Sequence, residues 1–161
     1  MDLSPTLIER LPDTYRLLQT ANLTVHRSVA RVVLHGSRGL AGGARPDSDV
    51  DLSLIVDTPT RAEPDGIEAD LNAVFVSTFS AWRADVEVDL AVVFETRGCG
   101  LHCFAQTQWC AVHCAIGGRD CFGLYKVQKG FTGLVVDAGI EVRRMFPCLE
   151  IWRRISHNSP I

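Results

Sequence analysis

The stretch His35-Gly36-Ser37-Arg38-Gly39-Leu40-Ala41-Gly42-Gly43-Ala44-Arg45-Pro46-Asp47-Ser48-Asp49-Val50-Asp51-Leu52-Ser53-Leu54-Ile55-Val56-Asp57 decides how this chain is read. An apolar run, Val32 to Leu34, leads into a turn at Gly36-Ser37, and a loop of small residues follows. Asp49 and Asp51 then open a second apolar run, Leu52 to Val56. Side chains alternate faces along a β-strand, so residues two apart point the same way. Asp49 and Asp51 are therefore expected to project side by side. Two carboxylates that close repel each other unless a cation or a proton lies between them. Mg²⁺ answers that need, because it commonly takes one or two protein carboxylates together with substrate phosphates.

Working outward, Val86 to Phe94 supplies another strand-like run with an acid inside it, Asp89. Between the two runs, Ile67, Leu71, Val74, Phe75, Thr78 and Phe79 recur at helical spacing, which predicts an amphipathic helix over 65–82. A strand, a crossover helix and another strand imply some parallel pairing. The expected strands are Arg31 to His35, Asp49 to Val56 and Asp85 to Phe94. Upstream, Ser4-Pro5 opens a helix, Pro12 interrupts it, and Asp13 caps a restart. Val25 to Ala30 reads as a further short helix. Downstream, a helix is expected from about Leu101 to Ile116, ended by Gly117-Gly118. Cys121 to Val127 and Leu134 to Val136 look strand-like, Ile140 to Phe146 is ambiguous, and Leu149 to Trp152 closes the chain as strand or helix. The expected fold class is α/β (α+β), a mixed β-sheet flanked by helices.

The segment from Gly36-Ser37 through Asp49-Val50-Asp51 resembles the signature of the nucleotidyltransferase superfamily of the DNA polymerase beta type. That signature is an apolar residue, Gly-Ser, a spacer, and Asp-x-Asp among apolar residues. The family places a third acid on a later strand, and Val88-Asp89-Leu90 resembles that motif. The likeness covers residues 29–94, and the size is similar to the minimal nucleotidyltransferases, some of them antitoxin-like proteins that transfer AMP. It implies one nucleotidyltransferase domain over 1–161, with a family-specific extension from about 98 to 161. It implies two Mg²⁺ ions held by Asp49, Asp51 and Asp89, with ATP or another NTP as substrate. It further implies that Asp89 helps activate an acceptor hydroxyl, and that a HEPN-type protein is one candidate acceptor or partner.

Gly36 lets the backbone approach a triphosphate, and Ser37 can donate to its oxygens, more so if a short helix starts there. Ser48 either contacts phosphate or caps the turn. Arg38 and Arg45 flank the loop and can neutralise phosphate, although Arg38-Gly39-Leu40 stands where the minimal family has Ala-Arg-Gly. Glu87 lies two residues before Asp89 and rivals it as third ligand. Lys126 and Lys129 read as solvated surface residues, with reach to the site as the alternative. His35 reads as a packed strand residue, and His102 and His113 as structural or surface residues.

The chain has 161 residues and a net charge of −3, which gives no general attraction to nucleic acid or to an anionic membrane. No apolar run is long enough to span a bilayer, and the start has no basic-then-apolar leader. The expected location is the cytoplasm, with a homodimer possible. Cys99, Cys103, Cys110 and Cys114 fit one face of the expected helix, on which they read as a buried stripe of small hydrophobes. On a helix, Cys99 and Cys114 would lie about 22 Å apart, too far to share one zinc ion. The leading function is transfer of a nucleoside monophosphate from an NTP to a hydroxyl, with pyrophosphate leaving. The alternatives are an antitoxin-like binding protein and a nucleotide sensor.

Overall fold

A computed structural model describes residues 2–57, 64–114, 116–136 and 139–155, with the side chains of 64 and 65 left aside. The architecture is mixed α+β. Two short helices, α1 (Pro5–Arg10) and α2 (Pro12–Thr20), precede strands β1 (Val29–His35) and β2 (Val50–Val56). Helix α3 (Pro64–Ala81) crosses to β3 (Val88–Glu95), and β4 (Phe122–Lys126), β5 (Gly133–Val135) and β6 (Leu149–Arg153) follow. The six strands form one sheet in the order β5-β4-β3-β2-β1-β6. β2 and β3 run parallel and every other neighbouring pair is antiparallel. The parallel pair is the one joined through α3, as a crossover requires.

Alternation along the three central strands sorts their side chains into two cores. Val32, Leu34, Leu52, Leu54, Leu90 and Val92 face one side, where Leu7 of α1, Leu18 of α2 and Leu71, Val74 and Phe75 of α3 cover them. Val33, Ile55 and Val93 face the other side and pack with Leu101, Phe104, Phe122, Leu124 and Val142. All three helices thus lie over one face. The expected helices at 65–82 and after Ser4-Pro5 are present; Ser4 Oγ accepts from Thr6 N at 3.2 Å. Pro12, not an Asp13 cap, starts the second, and Asp13 sits in its first turn, where a carboxylate favours the helix dipole.

Two expected helices are absent. Val25 to Ala30 is turn and the beginning of β1. The segment Leu101 to Ile116 holds two short 3₁₀ turns, His102–Ala105 and Ala111–His113, and no α-helix among its described residues. Local physics explains the second failure. Gly98, Gly100 and Leu101 all have positive φ, at 70°, 66° and 50°, so the chain is turning where a helix would start. The residues that follow include three Cys and two His, which favour a helix only weakly. The i, i+4 cysteine spacing imitated a helical face that the backbone does not make. Irregular chain covers the second face of the sheet instead.

Buried Arg31 ties that irregular layer to the strands. Its Nη2 donates to Gly100 O at 2.7 Å and its Nη1 to Leu101 O at 3.2 Å, with Glu150 of β6 3.7 Å away. Arg31→Met should orphan two carbonyls and lower stability by about 2–3 kcal/mol. Urea denaturation checks this: the midpoint falls with the slope unchanged. Exposed Arg27→Ala, a control far from such features, should stay within about 0.5 kcal/mol.

Candidate functional site

Strand register builds the site. His35 of β1 pairs with Asp51 of β2, and Asp51 pairs with Asp89 of β3. The three side chains share the sheet face that carries Val33, Ile55 and Val93, because each lies an even number of residues from them. Asp51 and Asp89 stand close enough for their carboxyl groups to act on each other directly, and two carboxylates that close repel. The Asp51 carboxyl is accordingly pushed up from 3.8 to about 6. Burial is the largest cause, then the hydrogen bond and charge of Asp89, with Lys126 opposing and Asp49 adding a smaller push.

Gly36 closes one side of this pair. Its φ is +71°, and a Cβ there would stand 1.9 Å from Asp51 Oδ2. The glycine of the Gly-Ser turn is thus required both by backbone conformation and by the carboxylate pressed against it. Ser37 begins a turn, not a helix; Gly39 N donates to Gly36 O at 3.0 Å. Arg38 and Ser48 brace the loop that follows. Arg38 donates to the carbonyls of Ser48, Arg45 and Pro46 at 2.6, 3.2 and 3.0 Å, and Ser48 Oγ accepts from Arg45 N at 2.8 Å. Of the two roles open to Ser48, it fills the one of capping the turn.

Lys126 overturns its reading as solvated surface, whereas Lys129 is exposed as expected and also reaches the acids. Lys126 Nζ lies 2.6 Å from Asp89 Oδ1, its side chain only 14% exposed, and 5.3 Å from the centre of the Phe131 ring. Lys129 Nζ lies 2.9 Å from Asp49 Oδ2. Gln128 brings both there. Its amide accepts from Leu90 N and donates to Val88 O, each at 2.9 Å, so it pairs with the β3 backbone beyond the end of β4. Sequence reasoning passed over Gln128 altogether. The alternation Phe122, Leu124, Lys126 put the first lysine on the second face, but nothing local said that β4 lies beside β3.

Glu87 sits before β3, exposed, where its carbonyl accepts from Val50 N at 3.0 Å. Asp89 is the acid in contact with Asp51. His35 is packed, as its position predicts: a carbonyl can only accept, so Nδ1 donates to Met145 O and Nε2 takes the Ser53 hydroxyl proton, both at 2.8 Å. Burial lowers the His35 pKa, which keeps that neutral arrangement. A cleft of about 300 Å³ opens over Asp51, Asp89 and Lys126 and is walled by Phe122, Phe131 and Met145. Asp57 stands outside it, at the far end of β2.

The donor set suits a hard cation. Buried Asp89 Oδ1 has no directed hydrogen bond, since the Lys126 ammonium beside it is near enough for charge pairing but off hydrogen-bond geometry. A metal ion could reach this oxygen only by displacing the Lys126 ammonium. Among the described residues, however, no three acidic, histidine or cysteine side chains stand arranged as a formed metal site. No helix among the described residues is long and apolar enough to cross a membrane. No protein-family model, curated protein or solved structure matches this chain.

Gly36→Ala should cost at least about 1–2 kcal/mol from the left-handed backbone alone, with the Asp51 clash added. Thermal denaturation would register it, and a variant as stable as wild type would contradict the close approach. A second outcome concerns pH. Asp51 binds its proton more tightly folded than unfolded, so between about pH 4 and 6 the folded chain holds the extra proton. Stability from this group is complete below the unfolded value and is lost as pH rises through about 6. Asp51→Asn should flatten that decline and, in chelator at pH 7, raise stability by about 1 kcal/mol after allowance for solvent screening, or about 2–4 °C.

Proposed function

We propose that the protein is a nucleotidyltransferase that moves a nucleoside monophosphate, AMP from ATP in the first instance, onto a hydroxyl acceptor with release of pyrophosphate. The observation that carries the reading is the pressing together of three separate parts of the sequence: the Gly36 turn, Asp51 and Asp89. An Asp51 carboxyl raised by burial and by the neighbouring Asp89, in a cleft, with a glycine turn against it, is unfavourable to folding and makes sense as a site kept for function. In this reading Asp49, Asp51 and Asp89 hold Mg²⁺, which when bound neutralises phosphate charge and favours ionisation of the attacking hydroxyl.

The chain's own groups account for the rest. The Gly36-Ser37 backbone and the Ser37 hydroxyl receive the triphosphate, while Arg38 and Ser48 keep the loop in shape. Lys126 and Lys129, now paired with Asp89 and Asp49, would be free to meet phosphate oxygens if a cation took over those carboxylates. Little covalent help from protein is needed for such a transfer; positioning and charge dominate. The nucleotidyltransferase fold itself belongs to this proposal, supported by the parallel β2–β3 pair and the α3 crossover.

A second reading has its own support. Two lysines already neutralise the acids, so a protein that only binds a partner, antitoxin-like, can keep this charge cluster without any metal. Incubation with each labelled NTP, Mg²⁺ and cell lysate separates the two. A labelled acceptor supports the enzyme, and no label with any NTP supports the binder. Given an acceptor, Asp89→Asn should lower kcat and kcat/KM together by at least about 100-fold, whereas Glu87→Gln should do far less. ATP with Mg²⁺ should also raise the melting temperature of wild type by mass action, and Asp49→Asn with Asp51→Asn should abolish the metal-dependent part.

A further inference from the structure

Lys126 and Lys129 hold the same kind of partner in different ways. Lys126 closes β4 and is paired there with Gly133 of β5. Alternation along Phe122, Leu124 and Lys126 sends its side chain to the sheet face of Asp51 and Asp89. Its ammonium lies 2.6 Å from Asp89 Oδ1, and both side chains are mostly out of water, at 14% and 16% exposed. The chain then turns: Phe131 N donates to Gln128 O at 3.1 Å, and the Phe131 ring comes back to 5.3 Å from the Lys126 ammonium. Lys129 stands on that turn in left-handed backbone, with φ at 55°. Its side chain is 53% exposed where it meets Asp49.

The two pairs therefore differ in how easily they open. An exposed ion pair is worth little and yields to solvent or to another ion. Removing one partner from a buried pair leaves a charge uncompensated, which is strongly unfavourable. Asp89 is thus a carboxylate already provided with a cation, whereas Asp49 is only loosely engaged.

A free divalent cation meets two obstacles here. Three acids and two ammonium groups leave little net negative charge to attract it. Were it to take Asp89, the Lys126 ammonium would remain beside a like charge. Asp51 is the other acid of the cleft wall, and the same dication would claim it. Among the described residues no three acidic, histidine or cysteine side chains form a ready metal site, in keeping with a lysine standing among the acids. A cation chelated by a polyphosphate meets neither obstacle. It brings its own oxygen ligands, as Mg²⁺ on substrate phosphates does, and it offers the displaced ammonium an anionic partner.

Resting on the reading of this cleft as a Mg²⁺–nucleotide site, we propose that Lys126 determines the form in which metal enters: the cleft refuses a free divalent cation and accepts one already chelated by a polyphosphate chain. The lysine passes from Asp89 to a phosphate oxygen as the chelated cation takes the carboxylate, with no covalent bond made or broken. Lys129 imposes no such choice, because its pair with Asp49 is open to solvent.

The test uses the full chain, stripped of metal, at neutral pH. Mn²⁺ is the probe, since it takes oxygen ligands and its bound and free forms are counted by electron paramagnetic resonance. Wild type should bind the preformed Mn²⁺–tripolyphosphate complex at least about tenfold more tightly than free Mn²⁺. Lys126→Met, which keeps an apolar stem against Phe131, should bind free Mn²⁺ at least about tenfold more tightly than wild type does. Lys129→Met should change that affinity by less than about threefold. Adding Asp89→Asn to Lys126→Met should remove the gained site. Equal affinity of wild type for free and chelated Mn²⁺ would overturn the proposal, and that measurement needs no variant to fold. Free Mn²⁺ bound as tightly by wild type as by Lys126→Met would also overturn it, while leaving the nucleotidyltransferase reading in place. Failure of wild type and Lys126→Met alike to bind Mn²⁺ in either form would overturn both.

Discussion

Asp51 and Asp89 face each other across the parallel β2–β3 pair, and much of the molecule is arranged around that confrontation. Register alone creates it, for the two acids are direct partners in the ladder. Their repulsion is eased in two ways: the Asp51 carboxyl is pushed up, burial first and Asp89 next, and the ammonium of Lys126 lies beside Asp89; Gly36, lacking a Cβ, leaves room for the Asp51 carboxyl. An apolar pair at these positions would suit the sheet better, since burial of unpaired carboxylates opposes folding. The cost is carried by the surrounding β-strand core, where Leu52, Leu54, Leu90 and Val92 lie almost wholly out of water.

The lysines give this cluster two possible partners of like sign. As the chain stands, ammonium groups balance acids. A divalent cation with a polyphosphate would replace both sides of that balance at once, the cation taking the carboxylates and the phosphates taking the lysines. Gln128 clamps the lysine-bearing segment to β3 by two backbone hydrogen bonds, with Lys126 and Lys129 on either side of it.

The two faces of the sheet are built on different principles. One is covered by helices through ordinary apolar periodicity, with Leu71, Val74 and Phe75 of α3 the clearest case. The other carries the acids, the packed His35–Ser53 pair and an irregular cover held by Arg31, Leu101 and Phe104. A cover without its own backbone ladder must be held by side chains. This places an unusual demand on one buried arginine.

Strand identity and facing were legible from local chemistry. The alternation in Asp49 to Val56 and in Val86 to Phe94, with a helical repeat between them, determined a sheet with a parallel pair and put Asp51 and Asp89 on one face, because a period of two residues is a property of the strand itself. The Gly36 turn was legible for the same reason, as only its own backbone conformation was at issue. Three things were decided by the tertiary structure alone. Lys126 and Lys129 reach the acids because β4 pairs with β3, a choice made by long-range packing that no local window contains. Arg38 is consumed by carbonyls of its own loop, which depends on how that loop closes. The cysteines, spaced as on a helix, lie instead on a bend, in a 3₁₀ turn and on extended chain, because weak helix formers follow whatever tertiary contacts offer, and here Leu101 and Phe104 pack into the second core.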